Sequence, residues 1–229
     1  MLAPFLFSLY IDDILSDCAR SGYGEILLYA DDILIITRSV TGLQYILKLV
    51  EDELTWLDLR LNCAKSVCIR IGIRFDYLFP VITTDDGIVL HWVSCLRYLG
   101  SHFLSGRRFA SSFDANKRAF CRAVNNIIGK IGNASQREDV LLHLIKFKCL
   151  PILLYSTECV NANKRSLASL DFCVVKFLMK IFKTSNRLLA NDCIHYLGFS
   201  LPSDLVARRV ELFMLKLKSC SNALVNQYL

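Results

Sequence analysis

Apolar and polar positions change period along this chain. Residues 25–29 and 33–37 are short runs rich in Ile and Leu, separated by Ala30-Asp31-Asp32. That pattern predicts a β-hairpin with an acidic tip. Upstream, Pro4 suits the first turn of a helix reaching about residue 19, ended by Ser21-Gly22-Tyr23-Gly24. Downstream, Leu43, Ile46, Leu47, Val50, Leu54, Leu57 and Leu61 recur at helical spacing. Thr41 is the expected N-cap of that helix, and Leu61-Asn62 its expected end. Residues 66–71 read as a strand. Residues 81–83 and 88–92 flank Asp85-Asp86-Gly87, an ordinary turn signal. Residues 96–100 and 101–104 complete a small set of strands.

Beyond about residue 110 the period is helical throughout. Phe120, Val124, Ile127, Ile128 and Ile131 form one stripe, and Leu141, Leu144 and Ile145 a second. Leu167, Leu170, Val174, Phe177, Leu178 and Ile181 form a third, and Leu205, Val206, Val210, Phe213 and Leu217 a fourth. Such stripes predict a helical bundle with an apolar core. Over 229 residues, an apolar share of 54% against 21% charged excludes a disordered chain. No run approaches the roughly 20 apolar residues of a membrane helix. The apolar start lacks a preceding basic residue and stops at Asp12-Asp13, so no signal peptide is expected. Ten cysteines without a Cys-x-x-Cys pair read as buried free thiols in a reducing compartment, nucleus or cytoplasm.

Charge divides the chain. Residues 1–100 hold 8 Lys+Arg against 13 Asp+Glu, a net of −5; residues 101–229 hold 19 against 8, a net of +11. This division suits a metal-binding part joined to a polyanion-binding part, or else two ordinary solvated surfaces. In the basic part, Lys176, Lys180 and Lys183 fall at i, i+4 and i+7 on an expected helix face. Arg118 and Arg122 form a similar pair, with Lys117 beside them, and Arg208-Arg209 lies near the end. Regular basic spacing fits phosphate contacts, which supply affinity without reading sequence. The acidic tip is the sharper signal. Two adjacent aspartates repel each other, and a divalent cation relieves that repulsion while keeping waters for substrate phosphates.

The order of motifs around this tip resembles the reverse transcriptases of non-LTR retrotransposons. Residues 2–14, Leu-Ala-Pro-Phe-Leu-Phe-Ser-Leu-Tyr-Ile-Asp-Asp-Ile, look like the family's palm helix. Tyr29-Ala30-Asp31-Asp32 matches its YxDD box, Leu61-Asn62-Cys63-Ala64-Lys65-Ser66 its next motif, and Leu96-Arg97-Tyr98-Leu99-Gly100 its primer-grip strand. The resemblance implies an α+β fold: a partial palm with an antiparallel sheet and helices over 1–105, then a helical thumb and connection region over 106–229. It implies RNA-directed DNA synthesis by two-metal phosphoryl transfer, with Mg2+ or Mn2+ as cofactor and no organic cofactor. The implied partners are an RNA template, a DNA primer and deoxynucleoside triphosphates, with no membrane.

Roles transfer only to matching positions. Asp31 and Asp32 would be the metal ligands. Tyr29 and Ala30 would sit at the primer terminus. Lys65 would lie near the leaving phosphates, on a turn shaped by Asn62. Tyr98, Leu99 and Gly100 would support the primer backbone, and Arg118, Arg122, Lys176, Lys180 and Lys183 would hold the duplex. The family also uses an earlier strand aspartate and a fingers region, and neither pattern precedes Tyr29. The expectation is therefore an N-terminally truncated palm that binds metal weakly and does not polymerise alone. The rival readings are a non-catalytic nucleic-acid-binding remnant and a helical interaction protein with a chance acidic turn.

Overall fold

The computed structural model describes residues 9–12, 20–78, 80–131, 138–160, 162–222 and 225. The chain is α+β and divides into two compact units: Met1–Leu96 with Ser105–Arg108, and Arg97–Leu104 with Phe109–Leu229.

The first unit is built on a hairpin of β1 (Gly24–Tyr29) and β2 (Asp32–Thr37), paired from Gly24↔Thr37 to Tyr29↔Asp32. Side chains alternate across a strand. Ile26, Leu28, Ile33 and Ile35 therefore share one face and pack with Ile46, Val50, Leu54 and Leu57. Those residues come from α1 (Val40–Trp56) and the residue that caps it. Ile11, 2% exposed, joins the same cluster, and the Tyr10 hydroxyl donates to the Leu57 carbonyl at 3.2 Å. Most of the helix expected over residues 4–19 lies outside the described residues; Leu9, Tyr10 and Asp12 are helical.

Two boundaries of α1 differ from expectation. Its N-cap is Ser39, not Thr41: Ser39 is extended (φ −141°, ψ 155°) and its Oγ accepts from the Gly42 N–H at 3.0 Å. Thr41 already lies inside the first turn. The helix stops at Trp56, short of Leu61, because Asp58 turns left-handed (φ 57°) and the Leu59 N–H returns to the Leu54 carbonyl. Leu59 and Leu61 still pack on the core, from outside the helix.

A second small sheet has the order β3-β5-β4. Its strands are β3 (Val67–Cys68), β4 (Ile82–Thr83) and β5 (Val89–Trp92). β3 is far shorter than the strand expected over 66–71; only an isolated bridge from Ile71 to Gly106 continues it. Asp85-Asp86-Gly87 is the plain turn its composition predicted, with Gly87 at φ 75°. The Asp85 N–H donates to Glu51 Oε2 at 3.2 Å. Burial raises the Glu51 carboxyl above its ordinary range; Asp85, Asp86 and Asp52 add to that, and the hydrogen bond opposes it. A raised carboxyl pKa means the folded state holds this proton more tightly than the unfolded chain does. Its stabilising effect is full below the unfolded value and fades as pH rises through the folded value. Glu51→Gln, which keeps an acceptor for Asp85, is expected to raise the neutral-pH melting temperature by about 2 °C. It should also weaken the acid-side gain in stability. Melting curves at pH 7 and near pH 4 that match wild type would contradict this.

The second unit opens with a sheet of order β6-β7-β8: β6 (Cys95–Tyr98), β7 (Ser101–Leu104) and β8 (Ala110–Ser111). Leu99 (φ 46°) and Gly100 (φ 81°) are the two residues between β6 and β7. Positive φ at both marks the tight hairpin turn that matches strand twist. Helices α2 (Asp114–Ile131), α3 (Glu138–Leu144), α4 (Leu150–Leu153), α5 (Lys164–Ile181), α6 (Arg187–Tyr196) and α7 (Pro202–Lys218) follow. The periodicity did not foresee α6. Between α3 and α4 runs a π-helical turn, Ile145–Cys149. Pro151 has no N–H for the carbonyl four residues back and crowds it, and the wider turn relieves that conflict. The core joins Phe120, Val124, Ile145, Leu153, Leu170 and Leu178, each at most 3% exposed. It comes from the stripes of α2, the π turn, α4 and α5.

Among the described residues all nine cysteines are free, but Cys95, Cys121, Cys159 and Cys220 are exposed. The expectation of buried thiols holds fully for Cys68 and Cys149; Cys63, Cys173 and Cys193 are half-buried, Cys63 and Cys173 packed against core clusters. No described helix is long and apolar enough to cross a membrane.

Candidate metal centre and nucleic-acid interface

The acidic tip is a two-residue turn, Ala30-Asp31, with the left-handed conformation carried by Ala30 (φ 52°). Asp32 is not part of the turn, as the sequence pattern suggested. It opens β2 directly opposite Tyr29. Period-2 alternation then sets Asp32 beside Tyr29, Leu27 and Ile36, on the face turned away from α1. That face is open: Tyr29 is 62% and Ile36 49% exposed. Ala30, Asp31 and Asp32 are exposed as well. The hairpin thus delivers two solvated carboxylates and an aromatic ring to one end of the first unit.

Gly24 sets the far end of this hairpin. A Cβ there would overlap the Ile36 carbonyl oxygen and press on the Thr37 methyl and the Ile46 side chain. Backbone oxygen cannot swing aside as a flexible side chain can. Gly24→Ala is expected to destabilise the first unit by about 1–3 kcal/mol, as other overpacked substitutions do. Denaturant unfolding measures this, and an unshifted midpoint would refute it.

Carboxylate oxygens are suitable donors for a hard divalent cation. Yet no group of three His, Cys, Asp or Glu side chains placed to hold a metal occurs among the described residues. Among the described residues, Asp31 and Asp32 by themselves suit at most one largely hydrated ion; the two-ion arrangement needs bridging carboxylates from a second element.

Asn62 and Lys65 share a turn in the same unit. The Asn62 carbonyl accepts from the Lys65 and Ser66 N–H groups at 3.0 Å each, and its Oδ1 accepts from the Lys65 N–H at 3.3 Å. The Lys65 side chain is exposed. Tyr98, Leu99 and Gly100 fall in the second unit, with Leu99-Gly100 as a turn and not a strand. The Tyr155 hydroxyl donates to the Leu99 carbonyl at 2.8 Å, and a Cβ on Gly100 would meet the Tyr155 ring at 3.1 Å. Sequence reading missed Tyr155, which lies 56 residues from its partner.

The basic residues separate into struts and free cations. Lys180 Nζ donates to Asn125 Oδ1 at 2.7 Å, fastening α5 to α2. Lys117 Nζ does the same through Ser169 Oγ at 2.9 Å while pairing with Asp114 at 2.6 Å. The Lys117 hydrogen bond and charge hold the Asp114 carboxyl below its ordinary range. Arg209 donates to the Leu154 carbonyl at 3.0 Å and lies 3.8 Å from Glu158, so it too is internal bracing. Lys183 is not on the helix face assigned to it. The helix α5 ends at Ile181, and Lys183 takes a left-handed conformation (φ 48°) beyond it. Lys176, Lys183, Arg118 and Arg122 remain exposed; none forms a salt bridge among the described residues, although the Arg118 charge adds to the lowering of the Asp114 carboxyl.

No curated protein and no solved structure matches the chain. Residues 1–103 do match the family described as reverse transcriptase (RNA-dependent DNA polymerase), a segment that includes the acidic hairpin, the Asn62 turn and the Leu99-Gly100 turn. Over that segment the chain is similar to the reverse transcriptases.

Proposed function

We propose that this chain is the palm and thumb portion of an RNA-directed DNA polymerase of the non-LTR retrotransposon kind. On this reading it engages an RNA template and a DNA primer and, without a further carboxylate-bearing element, does not polymerise. The observation that carries the reading is the hairpin: Asp31 and Asp32 at an open two-residue turn, opposite Tyr29, inside the segment similar to reverse transcriptases. Residues 1–105 would form the palm part and 106–229 the thumb and connection. Asp31 and Asp32 would bind a single Mg2+ or Mn2+. Lys65, held on the Asn62 turn, would approach the triphosphate. Tyr29 and Ala30 would lie at the primer end, and Tyr98, Leu99 and Gly100 along its backbone. Arg118, Arg122, Lys176 and Lys183 would contact phosphates, while Lys180 would act chiefly by holding α2 to α5.

The non-catalytic reading is favoured by one observation: the described residues offer no third metal-binding side chain beside the aspartates. Two measurements separate the possibilities. Mn2+ relaxation of solvent protons should report one weak site, lost in Asp31→Asn with Asp32→Asn. Primer extension on an RNA template with Mg2+ should yield no product. Template-dependent synthesis abolished by Asp31→Ala would overturn the claim of inactivity. Absence of both the ion and any hybrid binding would overturn the polymerase reading altogether.

A further inference from the structure

The second unit contains a cleft of about 620 Å3, a volume in the range of small-molecule sites. Its walls come from the β6–β7 turn, from α2 and from α4, all within that unit. Three of its lining side chains are cationic or able to become so: Arg97, His102 and Arg122. With Leu99 and Gly100 as the turn residues, Arg97 stands opposite His102 on the hairpin. Arg122 lies on α2, and neither guanidinium has a carboxylate partner among the described residues. His102 Nδ1 is itself sealed from solvent and has no hydrogen-bond partner among the described residues.

The rest of the lining is apolar: Ala119, one turn before Arg122 on α2, Pro151 and Ile152, with the ring of Tyr155. That ring is pinned, since its hydroxyl is committed to Leu99 and its edge packs on Gly100. Pro151 and Ile152 lie one residue beyond the π-helical turn, a distortion found often at functional sites. Asn116, on α2, also lines the cleft. Its Nδ2 donates to the Tyr155 carbonyl at 3.0 Å, which fixes the amide orientation. Its Oδ1 has no partner among the described residues.

Guanidinium donors suit a phosphate, a fixed aromatic ring and aliphatic wall suit a base, and a free amide oxygen suits an exocyclic amine. We propose that this cleft binds one nucleotide, its phosphate at Arg97 and Arg122 and its base against Tyr155, Pro151 and Ile152. The ligand chemistry is a nucleoside phosphate ester, either free or at an unpaired position of a strand. The proposal rests on the nucleic-acid reading above for this class of ligand, and it places the ligand within the second unit.

Calorimetric titration of the full chain with AMP, adenosine, inorganic phosphate and a short oligo-dA tests it. AMP should bind at least 10-fold tighter than phosphate or adenosine. Arg122→Gln, at an exposed position, should weaken AMP about 10-fold. Ala119→Glu sets a carboxylate among the guanidiniums and should abolish binding with the helical circular dichroism unchanged; if it fails to fold, Arg122→Gln decides. Tighter binding of the oligonucleotide supports a strand ligand, and equal or better binding of AMP supports a free one. Phosphate binding as tightly as AMP overturns the proposal, because the base is then unread. Affinity unchanged in both variants overturns it too. Hybrid binding without any nucleotide affinity sinks this site alone. Nucleotide affinity lost in Arg122→Gln, in a chain that ignores hybrid, supports the site and sinks the polymerase reading.

Discussion

Raising monovalent salt from about 50 to about 200 mM is expected to weaken RNA–DNA hybrid binding by roughly 100-fold. Each phosphate neutralised releases condensed counterions and contributes about −0.9 to the log–log salt slope on a duplex. Four exposed cations on or beside α2 and α5 form no hydrogen bond or salt bridge among the described residues: Arg118, Arg122, Lys176 and Lys183. Four contacts imply a slope of about −3.6, and a fourfold salt change then gives the stated loss. Lys117, Lys180 and Arg209 do not enter this count, because each is spent on a hydrogen bond inside the unit. Arg118→Gln combined with Arg122→Gln should flatten the slope by about 2. Fluorescence anisotropy with a labelled hybrid measures both quantities. A slope near zero, or one untouched by the double variant, would contradict the assignment of these cations.

Leu170→Ala is expected to destabilise the second unit by about 3–5 kcal/mol. Leu170 is 0% exposed, in a core shared with Val174, Phe177 and Leu178 of α5 and with Phe120 and Val124 of α2. The substitution removes buried methyl groups and leaves a cavity that surrounding helices fill only in part. Against a total stability of about 5–15 kcal/mol for an ordinary domain, that loss is large. Leu188, 73% exposed on α6, offers the contrast: Leu188→Ala should change stability by less than about 0.5 kcal/mol. Denaturant unfolding of the two variants checks the difference. Equal effects would mean that the α5 stripe is not the core.

Much of this could be read in the chain as written. The β1–β2 hairpin followed from two short apolar runs on either side of an acidic dipeptide. The buried faces of α1, α2 and α5 followed from 3.6-residue periodicity. Both signals are local, and burial then selects the apolar face whatever the partner. Boundaries were less legible. Ser39 and Thr41 are equally good caps by composition, and only the extended backbone at Ser39 chose between them. The end of α5 at Ile181 removed Lys183 from the face its spacing had assigned. α6, only ten residues long, was missed.

At the acidic hairpin, sequence alone determined the Tyr29–Asp32 motif, its place between two strands and its likeness to the reverse transcriptases, since these depend on neighbours in the chain. The tertiary structure decided that Asp32 lies opposite Tyr29 on the open face and that no described side chain completes a three-ligand metal group. It also decided which cations are free. Lys117 and Lys180 reach partners 52 and 55 residues away, and Tyr155 reaches Leu99 across 56. A side chain's hydrogen-bond partner is set by what the folded chain brings within about 3 Å of it, and periodicity carries no record of that.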